Sequence, residues 1–229
     1  MRAAVIVFPG TWSDSDTVWA LERCGFKADK IWHRTSDLTG YDLVVLPGGF
    51  SYGDYLRCGA IARFSPIMGA VRIHAESGGL LIGICNGFQI LCEAGILPGV
   101  LMRNSSLQFR CKDTYLISET FNSAFTSGLD RNRTYQIPMS HGEGRYVASS
   151  TDLEMLEKND QIAFRYANQS GEVSPETNPN GSIANIAGIF NSQKNVLGMM
   201  PHPERACELL LGSEDGNRIW ESVLSQASS

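Results

Sequence analysis

The sequence predicts an α/β fold: an open, mostly parallel β-sheet flanked by helices, with a nucleophile elbow near its centre. Three observations lead there. Short apolar runs alternate with stretches of helical periodicity through the first hundred residues. Residues 3–8 and 41–46 are almost continuously apolar, as parallel strands covered on both faces must be. A third run, 80–84, passes through a glycine-bearing turn straight into a helical pattern. Strands and helices alternating at this density imply right-handed crossovers between parallel strands.

The elements follow in order. Residues 3–8 form the first strand, which Pro9-Gly10-Thr11 ends. Ser13, Asp14 and Ser15 offer N-caps for a helix carrying Val18, Leu21 and Cys24, closed by Gly25. Residues 28–32 and 41–46 are the next strands, the latter broken by Pro47-Gly48-Gly49-Phe50. After a long loop over 51–59, residues 60–76 read as helix, with Pro66 marking its real first turn. The second half changes character. Residues 108–111, 114–119, 135–139 and 161–166 look like strands with no long helix between them, a meandering and more antiparallel region. Residues 168–183, rich in Asn, Pro, Gly and Ser, predict an exposed loop. Residues 186–190 and 196–200 pair as a hairpin, and a last helix surrounds Ile219, Trp220 and Val223. No repeat or linker divides the chain, so residues 1–229 are expected to form a single domain.

Composition narrows the function classes. A chain of 229 residues, 43% apolar, suffices for a substantial core. Its net charge of −5 argues against nucleic acid or an anionic membrane as main partner. No apolar run approaches the ~20 residues of a membrane helix, and the start reads as a strand rather than a signal peptide. The scattered Cys24, Cys58, Cys85, Cys92, Cys111 and Cys207 contain no Cys-x-x-Cys pair and no zinc spacing, so no metal is expected. Free thiols in a reducing cytoplasm fit that pattern.

The chemistry concentrates in Gly83-Ile84-Cys85-Asn86-Gly87. A residue pinched between strand and helix needs close backbone approach on either side, which glycines two before and two after it permit. The turn lifts the Cys85 sulfur to the carboxyl end of the sheet and onto a helix N-terminus, whose positive end favours the thiolate. Such a nucleophile needs a base and a group that orients the base. Of the four histidines, His33 and His74 suit surface or packing roles, and His141 lies in a loop as a pocket residue. His202 follows an apolar strand in Pro201-His202-Pro203-Glu204. Flanking prolines predict an extended segment, in which Glu204 points the same way as His202 and can fix its tautomer. An oxyanion hole is expected from the Asn86 N–H and from Gly49, with Phe50 the alternative to Gly49.

These residues resemble the class I (triad) glutamine amidotransferases, which have a flavodoxin-like fold. Gly-Ile-Cys-Asn-Gly-Phe-Gln and the late His-Pro-Glu carry the match, with Cys85, His202 and Glu204 as the triad. Residues 47–62 and 140–146 are most similar to the branch serving as glutaminase subunits of phosphoribosylformylglycinamidine synthase. The resemblance implies a fold and a reaction: glutamine is hydrolysed to glutamate and ammonia, and the ammonia passes to a separate synthetase subunit, with a small third subunit bridging the two. It also implies that Gln89, Ser140, His141 and Gly142 contact the α-amino and α-carboxylate groups of glutamine. No cofactor is expected in this chain. ATP and magnesium are expected on the synthetase, in keeping with the lack of a Gly-x-x-x-x-Gly-Lys-Ser/Thr loop here. The loop over 51–58 suits a partner-facing surface or a wall of the ammonia path, or else a self-packed surface loop. Three alternatives remain: a glutaminase serving another acceptor, against which the long loop speaks; a cysteine-elbow redox or stress protein, against which His202 and Glu204 speak; and a catalytically dead partner-binding subunit, against which the presence of every triad member speaks.

Overall fold

A computed structural model describes residues 1–226. The first half runs β1 (Arg2–Val7), α1 (Asp14–Arg23), β2 (Lys27–Trp32), β3 (Leu43–Leu46), α2 (Ile67–Glu76), β4 (Leu80–Ile84) and α3 (Asn86–Glu93). The second half runs β5 (Val100–Met102), β6 (Arg110–Ser118), β7 (Tyr135–His141), β8 (Arg145–Val147), α4 (Ser150–Lys158), β9 (Ile162–Ala167), β10 (Ile186–Phe190), β11 (Val196–Met199) and α5 (Asn217–Gln226).

One nine-stranded sheet has the order β2-β1-β3-β4-β11-β10-β9-β6-β7, and β5 pairs with β8 beside it. From β2 to β11 all neighbours are parallel, and from β11 to β7 all are antiparallel. The apolar runs explain the parallel part: β3 is buried along its whole length, as are Ala3 to Ile6 of β1. In the antiparallel part β7 alternates buried and half-buried residues, the signature of a strand with one covered face. On the first-half helices Leu21, Val71 and Phe88 turn inward, and Phe88 stacks on Tyr146 with ring centroids 5.9 Å apart.

Several expectations change. The predicted helix over 60–76 begins at Ile67, directly after Pro66, and a separate 3-10 turn occupies Ala62–Phe64. The two strands expected at 108–111 and 114–119 are one, β6, because Lys112 and Asp113 keep their backbone pairing with β7 while their side chains face solvent. A helix was not expected between residues 139 and 161, yet α4 forms there. Ser149 caps it by accepting the Asp152 N–H, a Ser-x-x-Asp start that the sequence carries. Ser13 occupies the N-cap of α1, but its side chain makes no capping bond and instead accepts from Arg205 at 3.0 Å. Residues 168–183 lack strand or α-helix as expected, but they are not exposed throughout: Asn180 and Ser182 are buried. No helix among the described residues is long and apolar enough to cross a membrane.

Candidate active site

β3, β4 and β11 lie side by side and parallel, so three successive carboxyl ends open on one cleft. This is where an open α/β sheet holds its ligands. The cleft has a volume of about 270 Å³. Gly49 follows β3, Cys85 follows β4 and His202 follows β11, and all line it.

Cys85 has φ 51° and ψ −105°, a backbone conformation that a residue with a Cβ avoids unless its surroundings impose it. The imposition comes from the two glycines. A Cβ on Gly87 would lie 1.9 Å from the Leu46 carbonyl oxygen of β3, and one on Gly83 would lie 2.7 Å from the Gly87 carbonyl carbon. Helix α3 therefore starts in contact with the sheet, and Cys85 takes the bend. Its sulfur donates to the Ser140 carbonyl at 3.7 Å.

The His202 Nδ1–H donates to Glu204 Oε1 at 2.6 Å, and both side chains are buried. A carboxylate can only accept, so this bond fixes the tautomer and leaves Nε2 for the chemistry. Burial opposes a charge on the ring, but Glu204 and then Cys85 outweigh it, and the imidazole's proton affinity is raised well above the ordinary value. Nε2 is buried with no hydrogen-bond partner among the described residues. The expected extended segment is not what makes the pair. Pro203–Arg205 is a 3-10 turn, with Pro203 at its first position and Arg205 N–H closing on the His202 carbonyl. The turn brings Glu204 under the ring, and the His202 N–H is held by the Pro138 carbonyl of β7 at 2.8 Å.

Of the two donors considered after β3, the structure excludes Phe50: its N–H is spent on the Gly10 carbonyl at 2.9 Å. The bridge between Thr11 and Gly49 uses the Trp12 and Phe50 amides, which leaves the Gly49 N–H free of both bonds. Gly49 has φ +147°, and a Cβ there would meet Trp12 N at 2.5 Å, so only glycine fits. Asn86 is the first residue of α3, where an amide has no partner within the helix.

Gln89, Ser140, His141 and Gly142 all line the cleft. His141 ends β7 rather than lying in a loop. Its Nδ1 faces Asn104 Oδ1 at 3.1 Å, and the Asn104 amide nitrogen donates to the Gln108 and His141 carbonyls. The His141 ring thus donates from Nδ1 and keeps a lone pair on Nε2. Burial, and after it the neighbouring His202, pushes its pKa down to about 3, so the ring is neutral.

Sequence reasoning missed several lining residues: Asp54, Cys58, Phe109, Glu143 and Arg205. Glu143 and Asp54 sat in stretches already singled out, yet nothing in their spacing shows that they meet across Cys58, whose thiol donates to Glu143 at 3.3 Å. Burial raises the Asp54 carboxyl, as does the nearby Glu143, while its bond with Cys58 works the other way. The buried Asn104 had no signal at all. The loop over 51–58 is self-packed on one side and open on the other. Tyr52 packs inward on His33 and Ser65, and Arg57 grips Glu93 with two bonds, while Tyr55 and Leu56 face solvent.

A strand-turn-helix cysteine, a carboxylate-held histidine and a nearby glycine amide together define a cysteine amidohydrolase site. The model of the CobB/CobQ-like glutamine amidotransferase domain matches residues 1–225, and the chain belongs to that family. Its relatives narrow the class further. The chain is 54% identical over 225 residues to phosphoribosylformylglycinamidine synthase subunit PurQ of Moorella thermoacetica, covering 98% of this chain and 95% of that one. It is likewise 54% identical over 228 residues to subunit PurQ of Salinibacter ruber, covering 99% and 97%. Among solved structures, PurLQS from Thermotoga maritima superposes with a TM-score of 0.87 at 42% identity, covering 99% of this chain and 98% of that one. The glutaminase domain of Trypanosoma brucei CTPS, with bound acivicin, shares the fold at a TM-score of 0.63 and 13% identity over 100% and 94% of the two chains.

Proposed function

We infer that this chain is the glutaminase subunit of a phosphoribosylformylglycinamidine synthase. It hydrolyses glutamine and delivers ammonia to a synthetase subunit, in a complex that includes the small third subunit. The observation that carries this is the strained Cys85 at the head of α3, sharing a cleft with a His202 held at 2.6 Å by Glu204, in a chain 54% identical to PurQ.

The cleft supports the following sequence. The Cys85 thiolate attacks the side-chain amide carbon of glutamine. The Gly49 and Asn86 amides take the charge that develops on the oxygen; one such donor typically contributes ~10²–10³ in rate. The C–N bond breaks as His202 Nε2 gives its proton to the departing ammonia. The thioester carbon is then attacked by a water whose proton His202 accepts, and the C–S bond breaks to release glutamate. Glu204 holds the ring through both steps. Gln89, Ser140, His141 and Gly142 position the amino-acid end of glutamine, where the neutral His141 offers an acceptor to its N–H groups. ATP and magnesium belong to the synthetase. Residues 1–229 act as one amidotransferase unit in the reducing cytoplasm, a setting that suits six free cysteines.

Glutamate release by the purified chain, alone and with the synthetase and the small subunit, tests this reading. Stimulation on assembly that disappears in Cys85→Ala supports it. Full glutamine-dependent synthesis by Cys85→Ala overturns it.

A further inference from the structure

The side chain of Asn86 is not exposed to the cleft and takes no part in the chemistry above, yet its oxygen and its nitrogen each make a hydrogen bond, one to the loop after β3 and one within α3. Its Oδ1 accepts the Ser51 N–H at 3.1 Å, and its Nδ2 donates to Gln89 Oε1 at 2.9 Å. The Gln89 amide nitrogen donates onward to the Glu143 carbonyl at 2.6 Å. Asn86, Ser51 and Gln89 are all buried, with relative exposures of 1%, 2% and 5%. Bonds of this kind are strong because water does not compete for them.

The placement matters because Ser51 lies two residues beyond Gly49. The segment from Gly48 to Ser51 is held by two sets of bonds. Gly48 O and Phe50 N bind Trp12, Ser13 and Gly10, which belong to the turn after β1. These bonds fix the segment to its own neighbour and not to the elbow. The Ser51–Asn86 bond runs to the elbow itself, and it ends on the residue whose backbone N–H is the other oxyanion donor.

We propose that Asn86 is a positioning residue whose carboxamide sets the spacing between the Gly49 and Asn86 amides, and so assembles the oxyanion hole across β3 and β4. This rests on the glutaminase reading given above. An oxyanion hole works only when its donors reach where the charged oxygen will be, and a misplacement of about 1 Å can cost on the order of 10²-fold in rate. Holding both donors with one side chain fixes their separation independently of the rest of the loop, residues 52–58. A second arm, through Gln89 to the Glu143 carbonyl, links the same residue to the wall where the amino-acid end of glutamine sits.

The two arms separate in kinetics. Asn86→Leu keeps the branched outline of the side chain and removes both bonds; Gln89→Leu removes only the second. In the assembled complex, Gln89→Leu is expected to raise KM for glutamine and leave kcat within about threefold. Asn86→Leu is expected to lower kcat by about 10–100-fold, and to do so equally in the Gln89→Leu background, the pattern of an interaction made in the transition state. Alkylation of Cys85 by iodoacetamide, which needs the thiolate but no oxyanion hole, should proceed at the unaltered rate. Asn86→Ser, too short to reach Ser51, should behave like Asn86→Leu and serves if the leucine variant does not fold. Equal effects of Asn86→Leu and Gln89→Leu would overturn the proposal, since the whole loss would then run through Gln89. So would a parallel fall in alkylation rate, since Asn86 would then be holding the nucleophile and not the donors. Failure of the glutaminase reading looks different: Cys85→Ala would keep glutamine-dependent synthesis.

Discussion

The stretch of sheet from β2 to β11 and the stretch from β10 to β7 contribute to the same cleft in different ways. The parallel part supplies the groups of the proposed reaction: Gly49, Cys85 and His202 leave the carboxyl ends of three adjacent strands. The antiparallel part supplies the wall: Ser140 and His141 end β7, and Gly142 and Glu143 follow it. The difference follows from strand direction. Parallel neighbours deliver all their carboxyl-end loops to one edge, so atoms from distant sequence positions converge on a point. Antiparallel neighbours send alternate loops to opposite edges, so they give a surface and not a focus. Reaction rate should therefore depend on the parallel part, and substrate affinity on the antiparallel part together with Gln89 of α3.

The largest test of that division is Cys85→Ala, which should lower glutamine-dependent turnover by about 10³-fold or more, measured as glutamate release by the assembled complex. Glu204→Gln comes next. It keeps the shape but loses the carboxylate that orients the ring and favours its charge, and kcat should fall by about 10²–10⁴-fold. The sign of its pH effect is fixed. His202 has a raised proton affinity in spite of burial, so steps that need its proton survive through neutral pH and are lost on the alkaline side. In Glu204→Gln that alkaline limb should move toward neutral pH; a limb that stays put would remove Glu204 from this role.

Asn104→Ala belongs to the antiparallel part. It leaves His141 Nδ1 and the Gly144 N–H without their shared acceptor, at a cost of about 1–3 kcal/mol in stability. It should raise KM for glutamine by about tenfold, on the order of 1.4 kcal/mol of binding, with kcat little changed. The division fails if kcat falls instead. Asn180→Ala is the mildest. Its amide donates to the Gly144 carbonyl from the loop over 168–183, and losing it should cost about 1 kcal/mol in denaturant unfolding with a small rise in KM.

The same contrast explains what could be read beforehand. The parallel part is written in local signals. Apolar runs are strands, Pro-Gly-Gly and Gly-x-Cys-x-Gly are turns, and each loop's role follows from its place after a strand. The meeting of Cys85, His202 and Gly49 at one cleft, with Glu204 on His202, was legible for that reason. The antiparallel part depends on pairing between distant segments, which leaves weaker local marks. Lys112 and Asp113 read as a break although their backbone never leaves β6. Asn180 read as exposed because its composition is that of a loop, and only the tertiary fold shows that it braces Gly144. Asn104 satisfies His141 from a stretch with no periodicity, and no spacing rule could have found it. Even in the parallel part local geometry was misjudged at Pro203–Arg205, where a 3-10 turn does the work assigned to an extended chain.

The position of β11 has a consequence for how the molecule is made. This strand lies between β4 and β10, so the two parts of the sheet share no edge without it. It is also the last strand among the described residues, and on the order of a hundred residues separate it from the elbow. While the protein is being synthesised, β4 and its cysteine emerge long before the strand that must pair with them, and His202 emerges later still. A growing chain therefore carries a nucleophile with no base beside it. Glutamine meets a working site only after the sheet has been closed from the far end.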